Sequence, residues 1–232
     1  MVIVRHILVI AMVGILLALG FWQAKRLVWK ENLITKIETN LHQAPLLQAP
    51  NLEADEYRVL QLTGYFIHDK EIHLANKYYK GNSGFHIVTP FAYLDGPYDS
   101  TFDYILVNRG WVEDKHKNRA NRPETLIEGE ITITGIINKQ PDRNRFLPDN
   151  RPANNVWYHL DLAQASKTLD IPYLEQNFYL MQVDSKDKYP VDFPKKIELP
   201  NNHLQYTITW FLLALLISGM YIYMLRTKYF KS

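Results

Sequence analysis

The two ends of this chain are apolar and uncharged, and they constrain everything between them. Ile7 to Trp22 reads ILVIAMVGILLALGFW and Tyr206 to Leu225 reads YTITWFLLALLISGMYIYML, neither with a charged residue. A helix needs about 20 apolar residues to cross the hydrocarbon core, with a working range of about 17–25. The second segment meets that length. The first is slightly short, but Val2 to Val4 extend it and Arg5 can snorkel to the interface. Trp22, Trp210, Tyr221 and Tyr223 lie toward the segment ends, where interfacial aromatics collect. A cleaved signal peptide is the competing reading of the first segment, which has a positive residue, an apolar stretch and small residues at Ala18 and Gly20. Against it, a helical pattern runs on through WQAKRLVWKENLITKIETNL with no breaker before Pro45. A buried core helix is the competing reading of the second. Against that, Arg226, Lys228 and Lys231 end the segment like a cytoplasmic anchor.

Flanking charge sets the orientation. Two spans put both tails on one side of the membrane. The tails carry the N-terminal amine, Arg5, Arg226, Lys228 and Lys231; the inner flank carries Lys25, Arg26 and Lys30, with Glu31 counting weakly. The balance favours cytoplasmic tails, and places the middle of the chain outside, in a periplasm or its organellar equivalent.

Composition excludes several classes. Lys plus Arg is 26 against 24 for Asp plus Glu, which gives no basic face of the kind a nucleic-acid binder shows. There is no cysteine, so disulfides, thiolate metal sites, cysteine nucleophiles and covalent c-type haem attachment are all excluded. At 47% hydrophobic and 13% aromatic residues the chain can build a core, so a disordered chain is excluded.

Residues 42–200 hold nearly all the acids, prolines and glycines. Runs rich in β-branched and aromatic residues, bounded by Gly, Pro, Asn or Asp, predict strands at Arg58–Phe66, Ile72–Tyr78, Phe85–Phe91, Tyr104–Val112, Gly129–Ile137 and Asn177–Val183. Turns are predicted at Lys80-Gly81-Asn82-Ser83-Gly84 and at Asp95-Gly96-Pro97. The spacing of Ile131, Ile133 and Ile136 breaks strict alternation and predicts a bulge or strand end near Gly135. Asp161 is placed to N-cap a helix over Leu162–Leu169, with Pro172 as its stop. Gln140–Asn155 reads as a long polar loop. Short connections favour an antiparallel sheet or barrel, since parallel strands need a longer crossover. The fold class expected is therefore an α+β membrane protein, with N- and C-terminal transmembrane helices flanking a mostly antiparallel β domain that carries one or more short helices. Its divisions are a first span (1–24), a helix continuing out of the membrane (25–41), an extracytoplasmic β-rich domain (42–204), a second span (205–226) and a cytoplasmic tail (227–232).

No enzyme motif is present: no phosphate-cradling glycine loop, no dinucleotide fingerprint, no nucleophile elbow and no His-Glu-x-x-His. His68 and His73 are five apart and would face opposite ways on one strand, so a metal site from them needs a turn. No catalytic residue is assigned. Three groups remain. Trp22, Arg26, Trp29 and Lys30 share one helix face, either as a stripe for a partner or anionic ligand or as an aromatic belt with headgroup charges. His203 shares a face with Tyr206, Thr207 and Trp210, behind the candidate caps Asn201 and Asn202; it is either an axial ligand for haem iron or an interfacial histidine bonded to headgroups or to the first helix. Leu106-Val107-Asn108-Arg109-Gly110-Trp111-Val112 presents Arg109 at a strand edge, or pairs it with an acid while Trp111 packs in the core. Arg143, Arg145 and Arg151 read as a solvated basic loop, or as partners for carboxylates such as haem propionates.

The chain resembles the SURF1 (Shy1-related) family of cytochrome c oxidase assembly proteins. The matching pieces run in family order across nearly the whole chain: Leu19-Gly20-Phe21-Trp22-Gln23 with Arg26, Leu27, Trp29 and Lys30; Tyr57-Arg58-Val59 and Gly64-Tyr65-Phe66; Gly84-Phe85-His86-Ile87-Val88-Thr89-Pro90-Phe91; Leu106 to Val112; Phe146, Pro148, Trp157 and Asp161; and Asn201-Asn202-His203-Leu204-Gln205-Tyr206 with Trp210. One departure is Thr207, where a small residue is expected; its hydroxyl can bond back to the helix carbonyls.

The resemblance implies a multi-pass protein of the bacterial inner (cytoplasmic) membrane, with both termini cytoplasmic and the main domain periplasmic. It implies a non-enzymatic chaperone role in building a haem-copper cytochrome c oxidase of the respiratory chain. That role is haem a insertion into subunit I or its stabilisation, or alternatively a scaffold for immature subunit I without direct haem binding. The residues themselves offer His203, Tyr206 and Trp210 as the candidate haem site, with transient, non-covalent haem a as cofactor and no metal other than its iron at His203; the resemblance leaves direct haem binding open. They likewise offer Trp22, Gln23, Arg26, Lys30, Arg109 and Trp111 as candidate partner-binding residues. The expected partners are subunit I, haem a synthase and membrane lipid, with no nucleic acid.

Overall fold

A computed structural model describes residues 2–47, 50–93, 103–185, 189–196 and 199–229. In chain order the elements are α1 (Val2–His42), α2 (Leu52–Asp55), β1 (Val59–Phe66), β2 (Ile72–Tyr79), β3 (Asn82–Tyr93), β4 (Asp103–Glu113), β5 (Ile131–Lys139), α3 (Leu162–Leu169), β6 (Phe178–Gln182) and α4 (His203–Tyr229). They form two compact units, Met1–Lys36 with Glu198–Ser232, and Ile37–Ile197. The expected turn at Asp95-Gly96-Pro97 and the tail residue Lys231 lie outside the described residues.

The first unit is a helix pair. Both helices are long and apolar enough to cross a membrane, and their apolar stretches are largely exposed, with only 11% and 6% buried. As the absence of a breaker predicts, α1 is continuous over 41 residues. The helices run antiparallel: His6 meets Tyr221 toward one end, and Gln23 meets His203 toward the other. Between these, Phe21 packs edge-on to Phe211 with ring centroids 5.3 Å apart. A Cβ on Gly20 would lie 2.9 Å from the Phe211 ring, so the missing side chain lets the helices approach.

The second unit is built on six strands in the order β1-β5-β6-β4-β3-β2, with β1 also paired to β3. That extra pairing closes β1, β5, β6, β4 and β3 into a ring, so the barrel form of the β domain is the one adopted. Closure depends on β3. Its first half pairs with β2 as far as Val88 and its end pairs with β1 from Phe91. Pro90 sits at the switch: its carbonyl accepts from the Ile67 N–H on that edge, so the absent proline N–H falls where one partner strand gives way to the next. Alternate residues of all five ring strands fill the interior: Leu60 and Phe66, Phe91 and Tyr93, Ile105 and Val107, Ile133 and Ile137, Phe178 and Leu180. A second core lies on the other face of β2, β3 and β4, where Ile72, Leu74, Val88 and Leu106 pack with Trp157 and with Leu162 and Ala165 of α3.

The sheet is mostly antiparallel, as expected; the exception is β4 and β6, which pair in parallel at Val107–Leu180 and Asn108–Met181. The connection between them contains β5 and α3, so it is long enough to cross over. One expectation needs correction: there is neither a bulge nor a strand end at Gly135, since β5 runs on to Lys139. The β1–β5 register runs unbroken from Val59–Ile136 to Gly64–Ile131. Gly135 instead makes room for the neighbouring strand, since a Cβ there would lie 2.9 Å from Leu180 Cβ. The irregularities fall between Leu74 and Lys77 in β2, and in β4, where Ile87 faces Gly110 and Val88 faces Asn108 so that Arg109 is the extra residue.

The α3 helix begins as predicted, with Gln164 N–H donating to Asp161 Oδ1 (2.8 Å). It ends at Asp170, in the left-handed region at φ 53°, before Pro172 is reached.

Candidate functional site

In the helix pair, the structure brings Gln23 to His203. Gln23 Oε1 can only accept, so His203 Nδ1–H donates to it across 2.7 Å. That bond leaves Nε2 as the lone-pair nitrogen of the neutral ring, the arrangement found when a metal-ligating histidine is held by a second partner. Asn201 Oδ1 accepts from the His203 N–H (3.4 Å), and Thr207 Oγ1 bonds back to the His203 carbonyl (2.8 Å). Tyr206 is exposed. Trp210 is half-buried, and its indole N–H is buried without a hydrogen-bond partner among the described residues. His203 thus has a fixed tautomer and shares a helix face with Tyr206 and Trp210 at i+3 and i+7.

Trp22 and Trp29 are 57% and 47% exposed on the same unit. The Arg26 guanidinium stacks 3.8 Å from the Trp29 ring centroid. Trp22, Arg26 and Trp29 therefore present an exposed aromatic–cationic surface, which Lys30 extends.

Arg109 and Trp111 belong to the other unit. Arg109 is 1% exposed, so it lies inside the domain rather than at an exposed strand edge. As the bulge residue of β4 its side chain turns inward, where Nη2 donates to the Thr125 carbonyl (2.9 Å) and the guanidinium lies 4.6 Å from the Phe66 ring centroid. Trp111 is buried too, with its indole N–H donating to the Lys77 carbonyl (3.2 Å). Gly110 has φ 118°, and a Cβ there would lie 2.0 Å from the Val191 carbonyl oxygen, which accepts from the Trp111 N–H.

Around Arg109 the fold assembles a polar network that motif reading missed. Arg122 is fully buried; Nη2 pairs with Glu71 Oε1, Nη1 donates to Thr125 Oγ1 (3.2 Å) and Nε donates to the His116 carbonyl (3.0 Å). His73 Nε2–H donates to the same Glu71 oxygen (2.9 Å). Asn155 clamps both residues, donating to the Glu71 carbonyl and accepting from the His73 N–H. Glu71 and His73 are two apart in extended chain and share a face, a signal the sequence does carry. Nothing in the sequence joins Arg122 to them. His68 bonds the Ile127 carbonyl (3.0 Å), and the 3-10 turn at His68–Lys70 separates it from β2, so the two histidines serve different partners.

The ionisation states follow from burial and partners. Burial opposes charge on Glu71, but hydrogen bonds from His73 and Arg122, with their charges, outweigh it and hold the carboxyl below the usual carboxylate range. Burial pushes His86 down to about 4, and Asn108 Nδ2 donates to its Nδ1 (3.2 Å), as a neutral ring allows. In the 140–155 loop, Arg143 pairs with Asp149 while Phe146 stands 88% exposed.

Residues 10–215 match the family described as the SURF1 family. The chain is 32% identical over 216 residues to a SURF1-like protein of Drosophila melanogaster, covering 84% of this chain and 69% of the relative. It is 31% identical over 212 residues to Surfeit locus protein 1 of Mus musculus, covering 83% and 66%. It is 30% identical over 225 residues to a SURF1-like protein of Rickettsia felis, covering 94% and 95%. The chain thus spans about two thirds of the animal relatives' length, slightly less for the mouse protein, and nearly all of the rickettsial one. With the match running from the first apolar helix through the β domain into the second, this chain belongs to the SURF1 family.

Proposed function

We propose that this protein is an assembly factor for a haem-copper cytochrome c oxidase, acting by binding rather than by catalysis. Membership of the SURF1 family supports that role. The two apolar helices support a place in the membrane, and the flanking charges favour the bacterial inner membrane with cytoplasmic termini and a periplasmic β domain. Haem a is cargo in this reading, on its way to subunit I.

The observation that carries the haem reading is the His203–Gln23 bond. It fixes the imidazole so that Nε2 is free to meet iron, while Tyr206 and Trp210 offer flat surfaces to a porphyrin. The exposed Trp22, Arg26 and Trp29 favour a second reading, in which the same helix pair holds immature subunit I without touching haem. Haem a synthase is a further partner on the first reading.

The test is a deletion strain scored for oxidase activity per copy of membrane-inserted subunit I. The assembly role predicts a large loss that the wild-type gene restores. Failure of His203→Ala to restore it, with the variant present at normal level, supports haem handling. Full restoration by His203→Ala favours the scaffold, and activity per copy unchanged by the deletion overturns both.

A further inference from the structure

The helix pair carries a groove of about 380 Å³, lined by Val9 of α1 and by Ile217, Met220, Tyr221, Tyr223 and Met224 of α4. Its size falls within the range of small-molecule sites, about 300–1,000 Å³. Its rim is open, with Met220 and Tyr223 both exposed. The Tyr221 hydroxyl bonds to His6 Nδ1, which pins the two helices together beside the groove.

Two cations stand at one end of it. Arg5 is one turn from Val9 on the same face of α1, and Arg226 is one turn beyond Tyr223 on α4. Because His6 meets Tyr221, Arg5 is nearly level with Tyr221, and Arg226 lies about 7.5 Å farther along the axis at about 1.5 Å per residue. The first acid of α1 is Glu31, and α4 contains none from His203 to Tyr229. Neither guanidinium has an acid partner among the described residues.

A passage from hydrocarbon-like walls to two guanidiniums matches an amphiphile with an anionic head. Arginine meets phosphate through paired N–H donors, and basic groups at the ends of spanning helices take anionic headgroups. A partner helix docked here would have to bring an acid to the level of Arg5 and Arg226, and a purely apolar helix would leave both cations unanswered. Met220 and Met224 have unbranched, adaptable side chains, which suit a flexible acyl chain.

We propose that this groove binds an anionic glycerophospholipid, with an acyl chain against Val9, Met220 and Met224 and the phosphate between Arg5 and Arg226. The proposal rests on the helices spanning a membrane, and not on the haem or the scaffold reading.

The test is native mass spectrometry of the full-length protein released from phosphatidylcholine nanodiscs that contain a minor fraction of phosphatidylglycerol. Phosphatidylglycerol is expected to be retained on the monomer in preference to phosphatidylcholine. Arg5→Gln and Arg226→Gln are each expected to reduce that preference about fivefold, the contribution of one basic residue at an anionic surface. Met220→Trp fills the groove while keeping both cations, and should reduce retention as well. Lys25→Gln, an exposed cation at the other flank of the first span, should leave the preference unchanged. Failure of the protein to enter the nanodisc overturns the membrane reading and the site with it. Entry followed by equal retention of the two lipids, unchanged retention in Met220→Trp, an equal loss in Lys25→Gln, or a lipid-free dimer overturns the site alone.

Discussion

His203 donates from Nδ1 to Gln23 across 2.7 Å and so ties the first turn of α4 to α1. The two residues are 180 positions apart, and the bond selects the ring tautomer as well as the helix register. Removing such an outer partner of a metal-ligating histidine typically costs about 10–100-fold in affinity. On the haem reading, Gln23→Leu is therefore expected to weaken haem a binding by about that factor, and His203→Ala to abolish it. Soret titration of the purified protein checks both. Equal binding by all three proteins would sink the ligand assignment.

The Glu71–Arg122 pair is buried, and removing one partner strands the other charge. Arg122→Met is expected to destabilise the β domain by about 3–5 kcal/mol. Glu71→Gln should cost a similar amount, and the double variant less than the sum of the two, because the stranded charge is then gone. Denaturant midpoints of the three variants give the coupling directly.

His86 supplies a pH dependence. Its pKa is about 4 in the folded protein against an ordinary value of 6.5, so the unfolded chain binds the extra proton first as pH falls. Stability from this group is present above pH 6.5 and is lost between about 6.5 and 4, by up to about 3 kcal/mol. Thermal midpoints at pH 7 and pH 4.5 are expected to diverge in the wild type, and to diverge less in His86→Gln.

Gly110 and Gly81 separate crowding from backbone strain. Both have positive φ, but a Cβ on Gly110 would meet the Val191 carbonyl at 2.0 Å while one on Gly81 meets nothing within 4 Å. Gly81→Ala is expected to cost about 1–2 kcal/mol from the left-handed backbone alone. Gly110→Ala should cost roughly 3 kcal/mol or more, because Val191 must move as well. Thermal unfolding of the two variants decides it, and equal midpoints would refute the crowding.

Phe146 is the counterexample to reading every large apolar residue as core. It stands 88% exposed, so Phe146→Ser is expected to leave stability within about 0.5 kcal/mol of wild type. A larger loss in a denaturant titration would mean that the side chain is covered in the folded protein.

Much of this architecture was legible residue by residue. The apolar runs produced α1 and α4, β-branched and aromatic runs produced all six strands within a few residues of their predicted ends, and Asp161 capped α3. These features depend on hydropathy, periodicity and side-chain bonds to nearby backbone, all of which act over a few positions. The misreading at Gly135 came from the same locality: its missing side chain answers to Leu180 on another strand, which no nearby residue reveals. For Arg109 the sequence leaves an edge cation and a paired residue beside a core Trp111 both open; the β3–β4 register makes it the bulge residue and turns it inward, with Trp111 buried. By itself, then, the sequence determined which segments are apolar helices, which are strands, and that His203 stands at the start of the second helix. Only the tertiary structure decided that β1 closes on β3, that β4 and β6 run parallel, that Gln23 holds His203, and that Arg122 meets Glu71. Backbone ladders use the same N–H and C=O groups whatever the side chains. The partner of a buried charge is set by distances between segments far apart in the chain, so both become readable only when the chain has closed on itself.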